Sequence, residues 1–299
     1  MIPILFSVSG FSVSSYGVFL AAGFLYGIFL IWRLARAWDL DQEKVLDLTL
    51  VTFVGGLIGA RIYFALENPA LLSLPQIFLI HKFPGFSFWG AILGGWLTLF
   101  LFAKRFKLEF LQAADIASVG LLSGMIFANM GCLLGGCNVG IPSNLFFALY
   151  MSGAVGKRIP VQGIEAFLLV LSLRNIWHKA THFHLQGTVV SLSLIYIGII
   201  KLLTEPLRET HRMNYFLALT LVILGIVLFY KVTKRQIVKD LGDFVLMGVE
   251  IIKSGEKRKL MLFVFKKNWY NFKVSLWWRV KRIAKLLRRL NVRFSHKTN

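Results

Sequence analysis

The chain has 299 residues, of which 57% are hydrophobic, with a mean hydropathy of +0.67 and a formal net charge of +20. A soluble core does not require so much apolar sequence, so the composition defines an all-α polytopic membrane protein and excludes an ordinary soluble enzyme. No P-loop, Rossmann glycine pattern or His/Cys metal-ligand spacing occurs, so neither a cofactor nor a metal is expected.

A helix needs about 20 mostly apolar residues to cross the ~30 Å hydrocarbon layer. Seven stretches approach or meet that length: 16–35, 45–66, 86–103, 112–134, 161–178, 187–205 and 214–231. The fifth is read as the shortest, because Arg174, His178 and Lys179 interrupt it early. Basic residues of short loops mark the cytoplasmic side. Arg33 and Arg36, then Lys104, Arg105 and Lys107, then Arg174 and Lys179, then Lys231, Lys234 and Arg235 follow alternate stretches. This places the N-terminus outside and the C-terminus inside. No basic n-region and small-residue cleavage site precede the first stretch, which is therefore read as a retained span. His178, His182 and His184 then fall in a cytoplasmic loop and are read as solvated rather than metal-binding.

The charge is concentrated at one end. Residues 231 to 299 hold 19 Lys/Arg against 4 Asp/Glu, which is three quarters of the net excess. The chain is thus read as a transmembrane transferase-like body over 1–235 and a basic amphipathic cytoplasmic tail over 236–299. Leu276, Val280, Ile283, Leu287, Leu290 and Phe294 recur at steps of four and three. Arg279, Lys281, Arg282, Lys285, Arg288 and Arg289 lie mostly off that stripe, and Trp277 and Trp278 open it. Such a helix suits an anionic membrane surface, at about 1 kcal/mol for each basic residue near it. A nucleic-acid partner is not expected for a tail tethered to a membrane body.

Polar residues inside apolar stretches mark candidate sites, because each charge at bilayer depth costs about 2.5–3.5 kcal/mol on insertion scales. Lys201, Glu205 and Arg208 stand at i, i+4 and i+7 where the sixth stretch runs out. Two cations and one carboxylate on one helix face give an expected net positive pocket. Arg158, Pro160, Gln162 and Glu165 open the fifth stretch, Pro160 suiting a first helical turn. Arg61 sits well inside the second, where it either snorkels or faces an internal anion or carboxylate. Cys132 and Cys137 are five residues apart among Gly131, Gly135, Gly136 and Gly140. That spacing is neither a Cys-x-x-Cys pair nor a common zinc site; packed thiols are expected, with a disulfide open if the segment breaks near Gly135.

Taken in order, these groups resemble the bacterial prolipoprotein diacylglyceryl transferases. The resemblance rests on Ser15-Tyr16-Gly17, Gly59-Ala-Arg61-Ile-Tyr63 and Gly85 to Gly94 with Trp89. It continues through Asp115, Gly131 to Gly140, Arg158 to Glu165, and Gly187 through Lys201 and Glu205 to Arg208, and covers roughly residues 10 to 235. It implies transfer of diacylglyceryl from phosphatidylglycerol, or another anionic phospholipid, to the lipobox cysteine of a prolipoprotein signal peptide. That reaction runs at the outer face of the bacterial plasma (inner) membrane and releases glycerol phosphate. In this reading Glu205, Tyr16 and Glu165 carry the catalysis; Lys201, Arg208, Arg61, Asn129, Gln162, Arg158 and Trp89 bind substrate. The chain departs from the family pattern at three places. Trp89 stands where His or Tyr is usual, Asn129 where an Arg is usual, and Lys201 where an Arg would offer a bidentate fork. The departures keep two alternatives in view: a related transferase using another headgroup or acceptor, and a non-catalytic lipid-binding homologue.

Overall fold

The computed structural model describes residues 4–8, 11–68, 85–151, 154–209 and 214–236, with isolated positions between 240 and 285. An antiparallel hairpin of β1 (Ile4–Val8) and β2 (Phe11–Ser14) leads into α1 (Ser15–Ala37). Helices α2 (Gln42–Glu67), α3 (Phe88–Ala103) and α4 (Phe110–Gly135) follow. A second small hairpin, β3 (Leu149–Tyr150) with β4 (Lys157–Arg158), precedes α5 (Val161–Ala180), α6 (Thr188–Thr204) and α7 (Asn214–Thr233). Each of the seven apolar stretches of the sequence therefore coincides with a helix.

Five of these helices are long and apolar enough to cross a membrane by length and composition: α1, α2, α4, α6 with the turn that extends it, and α7. The expectation for the fifth stretch needs correcting. At 20 residues α5 is not short; α3, with 16, is the shortest of the seven. What sets α5 apart is polarity, since Gln162, Glu165, Arg174, His178 and Lys179 all lie within it.

Caps explain where the helices begin. Ser14 accepts from the Gly17 amide at 3.1 Å, and Asp41 accepts from the Lys44 amide at 3.3 Å, each satisfying an orphan donor of the first turn. The Lys44 side chain, then its amide, hold the exposed Asp41 carboxyl below the usual carboxylate range. Helix α6 begins differently. Its cap is Gly187 at φ +91°, which has no side chain to offer. Asp115 of α4 supplies the carboxylate instead, taking the Gly187 amide at 2.6 Å and the Val190 amide at 2.7 Å.

Glycines set the packing of α2 on α3. A Cβ at Gly59 would lie 2.5 Å from the Gly90 carbonyl oxygen and 2.7 Å from Gly94 Cα, and one at Gly94 would lie 2.5 Å from the Gly55 carbonyl oxygen. Gly55 and Gly59 thus face Gly90 and Gly94 as two small-xxx-small motifs, which lets backbones touch where lipid provides no hydrophobic drive. Helix α1 packs along α4, and α6 along α7. Leu34, Val119, Leu122, Leu169, Ile176, Val189 and Ile197 form the buried centre shared by α1, α4, α5 and α6.

At the end of the bundle carrying the α1–α2 and α5–α6 turns, the Trp38 indole donates to the Ala180 carbonyl at 2.9 Å. His184 packs against Trp38 with ring centroids 5.0 Å apart, and its Nε2 lies 3.9 Å from Asp115. The expectation of a solvated cluster therefore holds for His178 and His182, which are exposed and stacked, and fails for the His184 side chain, which is 9% exposed.

Residues 235–299 form a separate unit. Its described positions include exposed helical Trp277, Trp278, Lys281, Arg282 and Lys285, with the Lys281 ammonium 4.6 Å from the Trp277 ring. The expected apolar stripe at 276, 280, 283, 287, 290 and 294, with Arg279, Arg288 and Arg289, lies outside the described residues.

Candidate active site

Helix α6 stops at Thr204, and Pro206 is accommodated in a 3-10 turn, Glu205–Leu207. Arg208 is already extended, at φ −94° and ψ 145°. Its backbone is bridged to Gly140, with the Ile141 amide donating to the Leu207 carbonyl at 3.0 Å and the Glu209 amide to the Val139 carbonyl at 3.1 Å. The same strap bridges Pro142 to Arg158. Lys201, Glu205 and Arg208 are therefore not three rungs of one helix face, as their spacing implied. A helix, a 3-10 turn and a strand-like strap bring them together.

Glu165 of α5, fully buried, is the hub of the cluster. Lys201 Nζ donates to its Oε2 at 3.0 Å; Thr204 Oγ1 and Arg208 Nη2 donate to its Oε1 at 2.7 and 2.5 Å. Arg208 Nε also lies 3.7 Å from a Glu205 carboxylate oxygen. The expected net positive pocket is corrected by this arrangement, because two cations and two carboxylates sum to zero formal charge. A buried ion cluster of this kind contributes through fixed geometry more than through net stabilisation. It presents two cationic donors at set positions, their charge balanced by Glu165 outside the cavity lining and by Glu205, which lines the cavity with them.

In front of the cluster lies a cavity of about 800 Å³, within the range of small-molecule sites. Tyr16, Trp89, Asn129, Asn138, Lys201, Glu205 and Arg208 line its polar part. Leu40, Val45, Leu48, Leu99, Leu108 and Ile116 line the part toward the opposite helix ends. The lining is amphiphilic along its length, as a molecule with a polar head and apolar chains would demand.

The other candidates divide. Gln162 Nε2 donates to the Asn138 carbonyl at 2.7 Å and to the Cys137 carbonyl, holding the turn after α4 in place. Asn138 itself sits at φ +52°, a conformation Asn tolerates better than most residues. Arg158 pairs with Glu209 at 2.8 Å and donates to the Gly140 carbonyl at 3.3 Å. It thereby fastens the strap and stays outside the cavity lining. Arg61 Nη1 donates to the Gly85 carbonyl at 3.0 Å, and its guanidinium lies 5.6 Å from the Phe64 ring; it too lies behind the cavity wall. Asn129 lines the cavity while donating to the Met125 carbonyl of its own helix at 3.0 Å. Trp89 is buried against Phe88, and Phe88 in turn lies 4.8 Å from the Lys201 ammonium.

Cys132 and Cys137 are joined by a disulfide, which corrects the expectation of packed thiols. The physical reason is the helix end: Gly136 takes a left-handed conformation at φ 77°, so the chain doubles back and brings Cys137 over Cys132. Sequence reading missed Thr204, Asn138 and Glu209. Thr204 lies between Lys201 and Glu205 in sequence, but an uncharged hydroxyl at a helix end carries little signal of its own. Asn138 and Glu209 carry none until the strap is folded.

The fold defines a polytopic helical membrane protein whose cavity has a polar and an apolar end. The chain belongs to the prolipoprotein diacylglyceryl transferase family, whose model matches residues 3–231. Among its relatives, the phosphatidylglycerol–prolipoprotein diacylglyceryl transferase of Clostridium tetani is 28% identical over 247 residues, covering 77% of this chain and 97% of the relative. The enzymes of the same name from Finegoldia magna and Idiomarina loihiensis are 25% and 28% identical, over 79% and 78% of this chain and 97% and 94% of their own lengths.

Proposed function

We propose that this protein transfers the diacylglyceryl group of phosphatidylglycerol to a cysteine thiol in an exported prolipoprotein, at the outer leaflet of the bacterial plasma membrane. The observation that carries the reading is the amphiphilic cavity ending at the Lys201, Glu205 and Arg208 side chains. The names of the relatives support it, and the match of their length to the body of this chain supports it further.

The chemistry follows from the positions of the charges. The thiol, with an ordinary pKa near 8.5, must lose its proton to become nucleophilic. Glu205 lines the cavity and is the group to take that proton. The Sγ–C bond then forms at the glyceryl carbon as the C–O bond to phosphate breaks, and the electron pair leaves with glycerol phosphate. Lys201 and Arg208 stabilise the charge that develops on the phosphate oxygens. Glu165 is a positioning residue in this scheme, since all its described contacts orient Lys201, Thr204 and Arg208. Tyr16 lines the same cavity and donates to the headgroup.

A second reading, transfer from another lipid headgroup or to another acceptor, draws on Trp89 and Asn129. Neither supplies the base or the cation usual at those places, and the charged cluster is neutral as built. The basic tail, in both readings, lies on the anionic cytoplasmic surface.

Reconstitution with phosphatidylglycerol and a lipobox peptide, scoring release of glycerol phosphate, tests the first reading. Turnover with phosphatidylglycerol supports it. Turnover only with another lipid supports the second reading, and no turnover by folded protein with any lipid overturns both.

A further inference from the structure

The segment between α4 and α5 is a connection between helix ends, yet it carries no Asp, Glu, Lys or Arg from 138 to 156. In place of charge it displays large apolar side chains. Phe146 is 97% exposed, Val155 91% and Tyr150 68%, with Leu145, Phe147 and Leu149 also exposed. Phe146 and Phe147 stand edge to face with centroids 5.1 Å apart. The base of the hairpin is built firmly. β3 pairs with β4, the Ser143 amide donates to the Lys157 carbonyl at 3.0 Å, and Arg158 is locked to Glu209 and Gly140. A fixed base presenting an uncharged apolar rim is not the build of a water-facing loop, whose exposed apolar residues are normally scattered singly.

We propose that this hairpin, through its described residues 142–151 and 154–158, is a membrane wedge whose Phe146, Tyr150 and Val155 insert at the headgroup–acyl boundary of the leaflet beside the cavity. Three observations select lipid as the occupant. The hairpin follows the end of α4 at Gly135, a helix long and apolar enough to cross a membrane, and leads into α5 at Val161. Its composition is aromatic and aliphatic without charge, the signature of interfacial anchors. Its first cations, Lys157 and Arg158, sit at the base, and Lys157 folds over the Tyr150 ring at 5.8 Å, where a lipid phosphate would be met. The wedge is joined to the site by the strap, because Pro142 and Gly140 bridge Arg158 and Arg208 respectively. Lipid seated against the hairpin is therefore held beside the polar end of the cavity. The inference concerns a surface and stands whether or not the chain transfers diacylglyceryl.

The test uses full-length protein, with its disulfide intact, in vesicles of phosphatidylcholine and phosphatidylglycerol. An environment-sensitive fluorophore is attached through Phe146→Cys and, in a second protein, Val155→Cys; both positions are exposed, so neither change reaches the buried core. Labels at Ile62, a half-exposed α2 position, and at His182, an exposed position on a loop at the opposite end, serve as lipid-facing and water-facing references. The expected result is a blue shift, severalfold quenching by lipids spin-labelled near the headgroup, and weak quenching by aqueous iodide at both 146 and 155. Iodide quenching equal to that at His182, without lipid quenching, overturns the wedge. Shielding that appears only when a lipobox peptide is added also overturns it, in favour of a peptide-docking surface.

Discussion

Glu165 and Arg208, 43 residues apart in sequence, meet at 2.5 Å where α5 and the strap after α6 converge. Because the carboxylate is fully buried and shared with Lys201 and Thr204, it is the structural counter-charge of the cluster. Removing one partner of a buried pair costs about 3–5 kcal/mol. Glu165→Gln should therefore lower the thermal unfolding midpoint in detergent markedly as well as reduce turnover. An unchanged midpoint would show that Glu165 is not the hub.

Glu205 differs in facing the cavity. Glu205→Gln keeps the shape and removes the base, and activity should fall by about 10²–10⁴-fold, the usual range for general acid–base groups. Its unfolding midpoint should fall less than that of Glu165→Gln, because Arg208 keeps its shorter pairing with Glu165. Turnover within a few fold of the parent would assign the proton transfer elsewhere.

At the opposite end, Asp115→Ala would leave the Gly187 and Val190 amides without their acceptor. Hydrogen bonds to charged groups are worth about 1.5–3 kcal/mol each. Hydrogen exchange should accelerate at the first turn of α6, and stability should drop by at least the value of one such bond, about 1.5–3 kcal/mol. Equal exchange in the two proteins would remove Asp115 from the capping role.

The disulfide makes a chemical prediction. Under denaturing, non-reducing conditions alkylation should find no free thiol among the described cysteines, and two after a dithiol reductant. Cys137→Ser should retain activity, because Gln162 and the left-handed Gly136 turn still hold the segment. A dead Cys137→Ser enzyme would move the bridge into the catalytic machinery.

Truncation after Lys234 should leave specific activity unchanged while weakening salt-sensitive association of the tail with anionic vesicles. Loss of specific activity at equal membrane abundance would contradict a purely surface role.

The helices were legible because apolar runs of membrane length are a strong signal. The candidate residues Tyr16, Trp89, Asn129, Lys201, Glu205 and Arg208 were also legible, and all six line one cavity. Hidden from sequence was every relation that crosses helices. Nothing local says that Glu165 neutralises Lys201 and Arg208, or that Arg158 faces Glu209. Helical spacing suggested a face continuing to Arg208, but Pro206 and the Gly140 strap redirected the chain. The cysteine pairing turned on a single left-handed glycine. His184 was misread because a loop position said nothing of Trp38 and Asp115 waiting beneath it.

Helix α6 is gripped by a carboxylate from another helix at each end: Asp115 of α4 takes its first amides, and Glu165 of α5 takes Lys201 and Thr204. One residue of helical rise is about 1.5 Å, so an axial slide of that size would break both grips at once. The two carboxylates fix α6 along its own axis like stops on a rod. The reach of Lys201 into the cavity is thus set, in part, by a contact at the far end of its own helix.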